Sequence, residues 1–223
     1  MIICTSISPS HINKLNQLEA VNSWKGIGSC FSLNSESEIK ILQSEYDIDF
    51  IKTDRTMEHI VGKPLVNINA ILDFAKEQKE DLLLINSDII IKKLPKFKND
   101  GITVLKRYDY TDTFDDGKLF LAGFDVYFLP KEFFNIFPQS VFSIGASWWD
   151  YVLLTHAIIK NIPVYYPSGK FAFHKLHQTQ YSYQEWMKMG EYFRLEFSVG
   201  KQFSIPQIAT NALNLINSKM IYL

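Results

Sequence analysis

The chain opens with a short apolar run, Ile2 to Ile7, that predicts a buried strand. Ser10 to Val21 predicts a polar helix with Ser10 placed to cap it. Ile27 to Leu33 predicts a second strand, and Ser35 caps a helix that carries Ile39, Leu42 and Tyr46 on one face. Ile48 to Ile51 predicts a short third strand. Pro64 opens a helix whose Leu65, Ile68, Leu72 and Ala75 form one stripe, which suits proline in a first turn. Asp81 to Ile85 then becomes continuously apolar and ends at the polar cluster Asn86-Ser87-Asp88. Continuous apolar strands alternating with helices predict an α/β fold. Its sheet is open and mixed, mainly parallel, with helices on both faces.

The later pattern is less regular. Ile102 to Leu105 and Phe124 to Leu129 predict strands, the second with Phe124, Val126 and Phe128 on one face and Asp125 and Tyr127 on the other. Tyr108 to Lys118 is polar and acidic and predicts a loop. Trp148 to Lys160 predicts a helix, Val164 to Tyr166 a short strand, and Ser204-Ile205-Pro206 the start of an amphipathic helix bearing Ile208, Ala212, Leu213 and Ile216. No repeat, low-complexity tract or linker divides the chain. Its 223 residues predict one domain in two halves, a nucleotide-binding half over residues 1–92 and a second half over 93–223.

Charge removes some classes of partner. The 23 basic and 24 acidic residues leave a net charge of −1, so no long-range field recruits nucleic acid or anionic lipid. Cys4 and Cys30 fall in predicted buried strands and read as reduced core thiols. No apolar run reaches the roughly 20 residues of a membrane span. Met1-Ile2-Ile3-Cys4 enters a strand directly, so the cytoplasm is the expected location.

Candidate chemistry concentrates between Leu82 and Ile91. Ligands of open α/β sheets bind beyond the carboxyl ends of the strands, where Asn86, Ser87 and Asp88 stand. Asp88 lies between two apolar runs, and a buried carboxylate needs a cation, a helix N-terminus or hydrogen-bond donors. A divalent ion bound with a diphosphate would meet that need. Asn-Ser-Asp is also ordinary turn chemistry. Asp150 falls in the first turn of a predicted helix, where the dipole favours a carboxylate and a base can sit; a plain helix-start acid beside core tryptophans fits equally. His174 and His177, three apart, can face one metal ion, donate to a diphosphate, or meet water in a loop. Thr53-Asp54-Arg55 and Gly62-Lys63-Pro64 lie near the sheet's ligand edge, where basic groups suit a diphosphate. His11, His59 and His156 show no partner pattern and read as structural.

The strand-Asn86-Ser87-Asp88-strand arrangement resembles the metal-and-nucleotide motif of GT-A-type glycosyltransferases. There an Asp-any-Asp triplet contacts the donor ribose and a manganese or magnesium ion on the diphosphate. Asn86 stands at the first acid, and Asp88 matches the last, which ligates the metal directly. Gly145 through Trp149, Asp150 and Leu153 resembles a later element of that family, in which a glycine precedes a Glu-Asp pair and a leucine. Asp150 matches the acid that takes the acceptor's proton in inverting members, while Trp149 replaces the Glu. A subset with Trp-Asp at this point also carries a late His-any-any-His followed by a tyrosine, matched by His174, His177 and Tyr181. The resemblance spans roughly residues 1–185 in layout.

It implies a nucleotide-sugar-dependent, hexosyltransferase-like enzyme with Mn2+ or Mg2+ held by Asp88, His174 and His177. The donor site would draw on Thr5, Asp54, Arg55, Lys63, Asn86, Ser87 and Asp88. Asp150 would be the catalytic base, with Asp125 and Trp149 toward a carbohydrate or other hydroxyl acceptor. Two other readings compete. A sugar nucleotidyltransferase usually carries a glycine-rich, basic loop after its first strand, and Thr5 to Ser10 has neither glycine nor lysine. A non-catalytic nucleotide- or sugar-binding domain is favoured by Asn86 and Trp149, which replace family acids. The donor sugar, its base and the oligomeric state stay open.

Overall fold

The computed structural model describes residues 1–177 and 182–223. The first half alternates as expected: β1 (Ile2–Thr5), α1 (Lys14–Ser23), β2 (Ser29–Asn34), α2 (Glu36–Leu42), β3 (Asp49–Lys52), α3 (Glu58–Val61), α4 (Ile68–Gln78) and β4 (Leu82–Ile85). The second half adds β5 (Ile89–Ile91), β6 (Ile102–Leu105), β7 (Arg107–Tyr110), β8 (Lys118–Leu119), β9 (Val126–Leu129) and α5 (Trp149–Ile159). It ends with β10 (Val164–Tyr166), β11 (Ala172–Lys175), α6 (Tyr183–Glu196), α7 (Ile205–Lys219) and β12 (Met220–Tyr222).

Among the described residues the main sheet has the order β12-β10-β6-β9-β4-β1-β2-β3. All its pairings are parallel except those of β9, which runs antiparallel to β4 and β6. Successive side chains of a strand face opposite ways, so each central strand feeds two cores. Leu82 and Leu84 join Ile71, Leu72, Val152, Leu154, Ile208 and Ile216 under α4, α5 and α7. Leu83 and Ile85 join Ile3, Ala20, Val21, Trp24 and Leu42 under α1 and α2. This is the mixed, mainly parallel sheet covered on both faces that the hydrophobic pattern predicts.

A second, smaller sheet, β5-β11-β7-β8, differs from expectation. Tyr108 to Lys118, expected as a loop, contributes β7, a 3-10 turn at Phe114–Asp116 and β8. Its aromatic residues Tyr108, Tyr110 and Phe114 pack on Phe173 of β11, a partner more than 50 residues away that local polarity does not reveal. Other boundaries move by a few residues. Asn13, not Ser10, caps α1 by accepting the Asn16 N–H, and Asn67 rather than Pro64 marks the start of α4. No helix among the described residues is long and apolar enough to cross a membrane.

Close packing of α6 depends on a missing side chain. A Cβ at Gly190 would collide with Ile205 Cγ2 and lie 2.8 Å from Trp148 Cζ2. Alanine ordinarily stabilises a helix interior by about 1 kcal/mol over glycine. Here Gly190→Ala is expected to destabilise by about 1–3 kcal/mol, because overpacking outweighs propensity. Urea unfolding checks this; a more stable variant would contradict the packing.

Candidate active site

The site forms where the chain changes sheets. β4 belongs to the main sheet, β5 to the small one, and Asn86, Ser87 and Asp88 make the crossing between them. The register of the small sheet then sets the neighbours: His174 of β11 lies opposite Ile89 on one side and Asp109 on the other. Arg107, two residues before Asp109 on β7, shares its face. α1 fixes the turn from outside, since Gln17 Nε2 donates to Ser87 Oγ at 2.8 Å and Trp24 Nε1 donates to the Ile89 carbonyl at 2.9 Å.

These constraints converge on one oxygen. Asp88 Oδ2 lies 3.2 Å from His177 Nε2, 3.4 Å from His174 Nε2 and 3.4 Å from His11 Nε2. The two late histidines also approach each other, Nε2 to Nε2, at 3.1 Å. Burial would push the Asp88 carboxyl up, yet the hydrogen bonds from His11, His174 and His177 hold it well below the usual carboxylate range. Burial likewise opposes charge on His174, but Asp109 and Asp88 lift that imidazole to about 9. His174 Nδ1 donates to Asp109 Oδ1 at 2.9 Å, and Arg107 Nε donates to the same oxygen at 2.8 Å.

The donor set fits a divalent cation. Two N–H groups cannot bond one another, so the His174–His177 approach asks for a bare ring nitrogen on at least one of them. Imidazole nitrogens and a carboxylate oxygen gathered this closely are a divalent-ion donor set, and an ion would take the place of the protons the histidines now share with Asp88. Asp109 behind His174 supplies the carboxylate that orients a ligating histidine.

A second carboxyl has the opposite electrostatics. Asp150 enters the first turn of α5 after Trp148, whose backbone is left-handed at φ 73° and which has no side-chain capping bond. Such strain costs on the order of 1–3 kcal/mol and persists only where packing enforces it. Trp148 is held by its Nε1 bond to the Trp186 carbonyl and by Phe193 and Tyr151 against its rings. Phe124 N–H donates to Asp150 Oδ2 at 3.1 Å, and Tyr127 Oη donates to the Asp150 carbonyl at 2.8 Å. Burial and then the Asp125 charge push the Asp150 carboxyl up to about 7, against the pull of backbone N–H groups. A Cβ at Gly123 would sit 2.9 Å from the Phe120 ring and 3.1 Å from Asp150 Oδ2, so the close packing of this segment on the carboxyl requires glycine.

One polar chain connects the two carboxyls. Asp109 binds Arg107, Arg107 Nη1 donates to both Asp125 oxygens at 3.1 and 3.2 Å, and Asp125 is the charge that raises Asp150. Asn86 joins it, donating from Nδ2 to Asp125 Oδ1 at 2.7 Å.

The expected site residues thus divide. Asp88, His174 and His177 meet, and Asp125 and Asp150 stand in the connected network. Asn86 is turned to Asp125, and Ser87 to Gln17. Thr5 is fully buried, with a hydroxyl that has no hydrogen-bond partner among the described residues. Arg55 is engaged by Asp73 and Gln139, and Lys63 by Glu185 of α6, rather than held at the strand ends. Asp54 is exposed; its carbonyl accepts from the Thr56 N–H and its charge acts on Lys52. Trp149 is 4% exposed and packs on Tyr127, so it offers no acceptor platform. Tyr181 lies outside the described residues.

His11 is the residue that sequence reasoning missed. Its Nδ1 lies 3.1 Å from the Asn13 N–H and 3.0 Å from the Asn13 carbonyl, a bracing that points Nε2 at Asp88. Nothing in its local sequence marks that role. His156, by contrast, pairs with Glu196 at 2.6 Å, as a structural histidine would. An open groove lined by Gln139, Ser140, Val141, Tyr192, Leu195 and Glu196 shares no residue with the cluster.

No protein-family model matches the chain, and no curated protein does. Solved structures give distant likenesses. A CTP:phosphocholine cytidylyltransferase from Streptococcus pneumoniae is 17% identical, with a TM-score of 0.40 over 86% of this chain and 98% of its own. A glycosyltransferase involved in glycosylation of the major capsid of PBCV-1 is 9% identical, with a TM-score of 0.38 over 87% and 98%. The glycosyltransferase GlyE of S. pneumoniae TIGR4 is 14% identical, with a TM-score of 0.32 over 97% of this chain and 62% of its own. Such distances carry no argument about activity, which rests on the site's own geometry.

The raised Asp150 carboxyl has a measurable consequence. Between its ordinary value of 3.8 and about 7, the folded chain holds a proton at Asp150 that the unfolded chain has released. Its contribution to stability therefore falls as pH rises through that window, by at most about 1.4 kcal/mol per pH unit. Asp150→Asn removes this dependence. Urea unfolding is expected to show the variant gaining stability relative to the native chain from pH 4 to 7; a constant difference contradicts it.

Proposed function

We propose that this protein transfers a sugar from a nucleoside-diphosphate sugar to a hydroxyl acceptor. The observation that carries the reading is the pairing of an ionised, imidazole-ringed Asp88 with a neutral-range Asp150, joined through Arg107 and Asp125. Two carboxyls whose environments drive their acidities apart are suited to different roles.

Sugar transfer makes two demands that this arrangement answers. Negative charge develops on the departing diphosphate, and a hydroxyl must surrender a proton. Asp88, His174 and His177 would hold a divalent ion, which supplies Lewis-acid stabilisation of diphosphate charge when bound. Arg107, partly exposed beside them, adds a fixed positive charge. Asp150, with its acidity near neutrality, is ionised in a substantial fraction at pH 7 and basic enough to accept the acceptor's proton. If the hydroxyl attacks from the face opposite the diphosphate, the anomeric configuration inverts. A donor-binding domain without transfer is the reading that Asn86 favours, because its amide is committed to Asp125.

Calorimetric titration with UDP and GDP, with and without Mn2+, tests the donor site. Binding is expected to depend on Mn2+ and to disappear in Asp88→Ala; binding of neither nucleotide contradicts the proposal. For the base, Asp150→Asn is expected to lower kcat about 10²–10⁴-fold while leaving donor affinity unchanged. Products with retained configuration would remove Asp150 from that role. Tight donor binding with neither transfer nor hydrolysis would establish the non-catalytic reading.

A further inference from the structure

We infer that His11 belongs to the ion site, and that the site takes a first-row transition-metal ion in preference to Mg2+, before any nucleotide arrives. The inference deepens the reading of Asp88, His174 and His177 as metal ligands and rests on it.

Three observations support it. His11, Asp88 and His177 each place one ligand atom within 4.8 Å of the others, and His174 Nε2 lies 3.1 Å from His177 Nε2 and 3.4 Å from Asp88 Oδ2. For ligands about 2.1 Å from an ion, adjacent donor atoms stand about 3.0 Å apart in an octahedron and about 3.4 Å in a tetrahedron. The 3.2–3.4 Å from Asp88 Oδ2 to each histidine nitrogen, and the 3.1 Å between His174 and His177, match the edges of a coordination shell, with His11 joining it through Asp88 and lying within 4.8 Å of His177.

Second, the outer nitrogens are braced as ligating histidines require. His174 Nδ1 faces Asp109, and His11 Nδ1 lies 3.0 Å from the Asn13 carbonyl and 3.1 Å from the Asn13 nitrogen; the tautomer that donates to the carbonyl is the one that leaves Nε2 bare for an ion. Third, the donors are nitrogen-rich. Mg2+ demands oxygen ligands and gives up its water reluctantly, whereas imidazole suits later divalent ions. A site in which imidazoles outnumber its one carboxylate discriminates between them by chemistry. The ring contacts of His177 with both His11 and His174 keep the three imidazoles together.

The test uses the full chain stripped with a chelator and then titrated with Mg2+, Mn2+, Co2+ and Zn2+ without nucleotide. The visible absorption of bound Co2+ reports nitrogen ligation. Affinity is expected to rise in the order Mg2+, Mn2+, Co2+, Zn2+. His11→Ala and His11→Gln are expected to weaken Co2+ binding at least tenfold and to change its spectrum, with circular dichroism confirming the fold. Mg2+ binding as tight as Co2+, or either folded variant keeping native Co2+ affinity and spectrum, would overturn the inference. A parallel titration with UDP and GDP separates this from the function. Selective ion binding by a chain that takes neither nucleotide upholds the metal inference and sinks sugar transfer. Nucleotide binding with Mg2+ held as tightly as Co2+ does the reverse.

Discussion

The charge on Asp88 is the constraint to which the rest of the site conforms. A carboxylate set between two buried strands carries a large desolvation penalty unless cations or donors surround it. Three imidazoles supply that surrounding, and each arrives by a different route. His174 comes from β11, held in place by strand pairing with β5 and β7. His177 follows just beyond that strand. His11 comes from the loop before α1, whose Gln17 and Trp24 grip the same turn from outside. The small sheet, whose Ile89, Ile91 and Phe173 share a core with Leu83 and Ile85 of the main sheet, is what assembles these groups around one oxygen.

The same network gives the two acids opposite characters. Asp88 is surrounded by partners that favour its ionised form, whereas Asp150 is buried beside Asp125 and has mainly backbone N–H groups in compensation. Arg107 stands between them, with Asp109 on one side and Asp125 on the other. It prevents the line of carboxylates from becoming a repulsive array. Two acids whose surroundings drive their acidities this far apart are suited to different roles.

Much of the fold was legible because its signals are local. The runs at Ile2, Leu82 and Ile102 mark strands buried on both faces, the run at Ile27 one buried only over its second half, and the serine caps before α2 and α7 are present as capping boxes. Asp88 was legible for the same reason, as a polar residue trapped between apolar runs. The small sheet was not, because β7 and β8 are polar on one face and owe their order to Phe173, far along the chain. His11 was invisible on similar grounds: its partner, Asp88, is 77 positions away. The basic residues Arg55 and Lys63 show the limit of such signals, because a cation near a strand end looks the same whether it awaits a phosphate or meets a carboxylate, and here Asp73 and Glu185 stand beside them.

The measurement that bears most directly on this account is a crystal structure with Mn2+ and a nucleoside diphosphate, with data collected at the manganese edge. The account predicts one strong anomalous peak among His11, Asp88, His174 and His177, with the diphosphate against it and Asp150 facing the same cleft. A peak elsewhere, or a diphosphate bound away from Asp88, would contradict it.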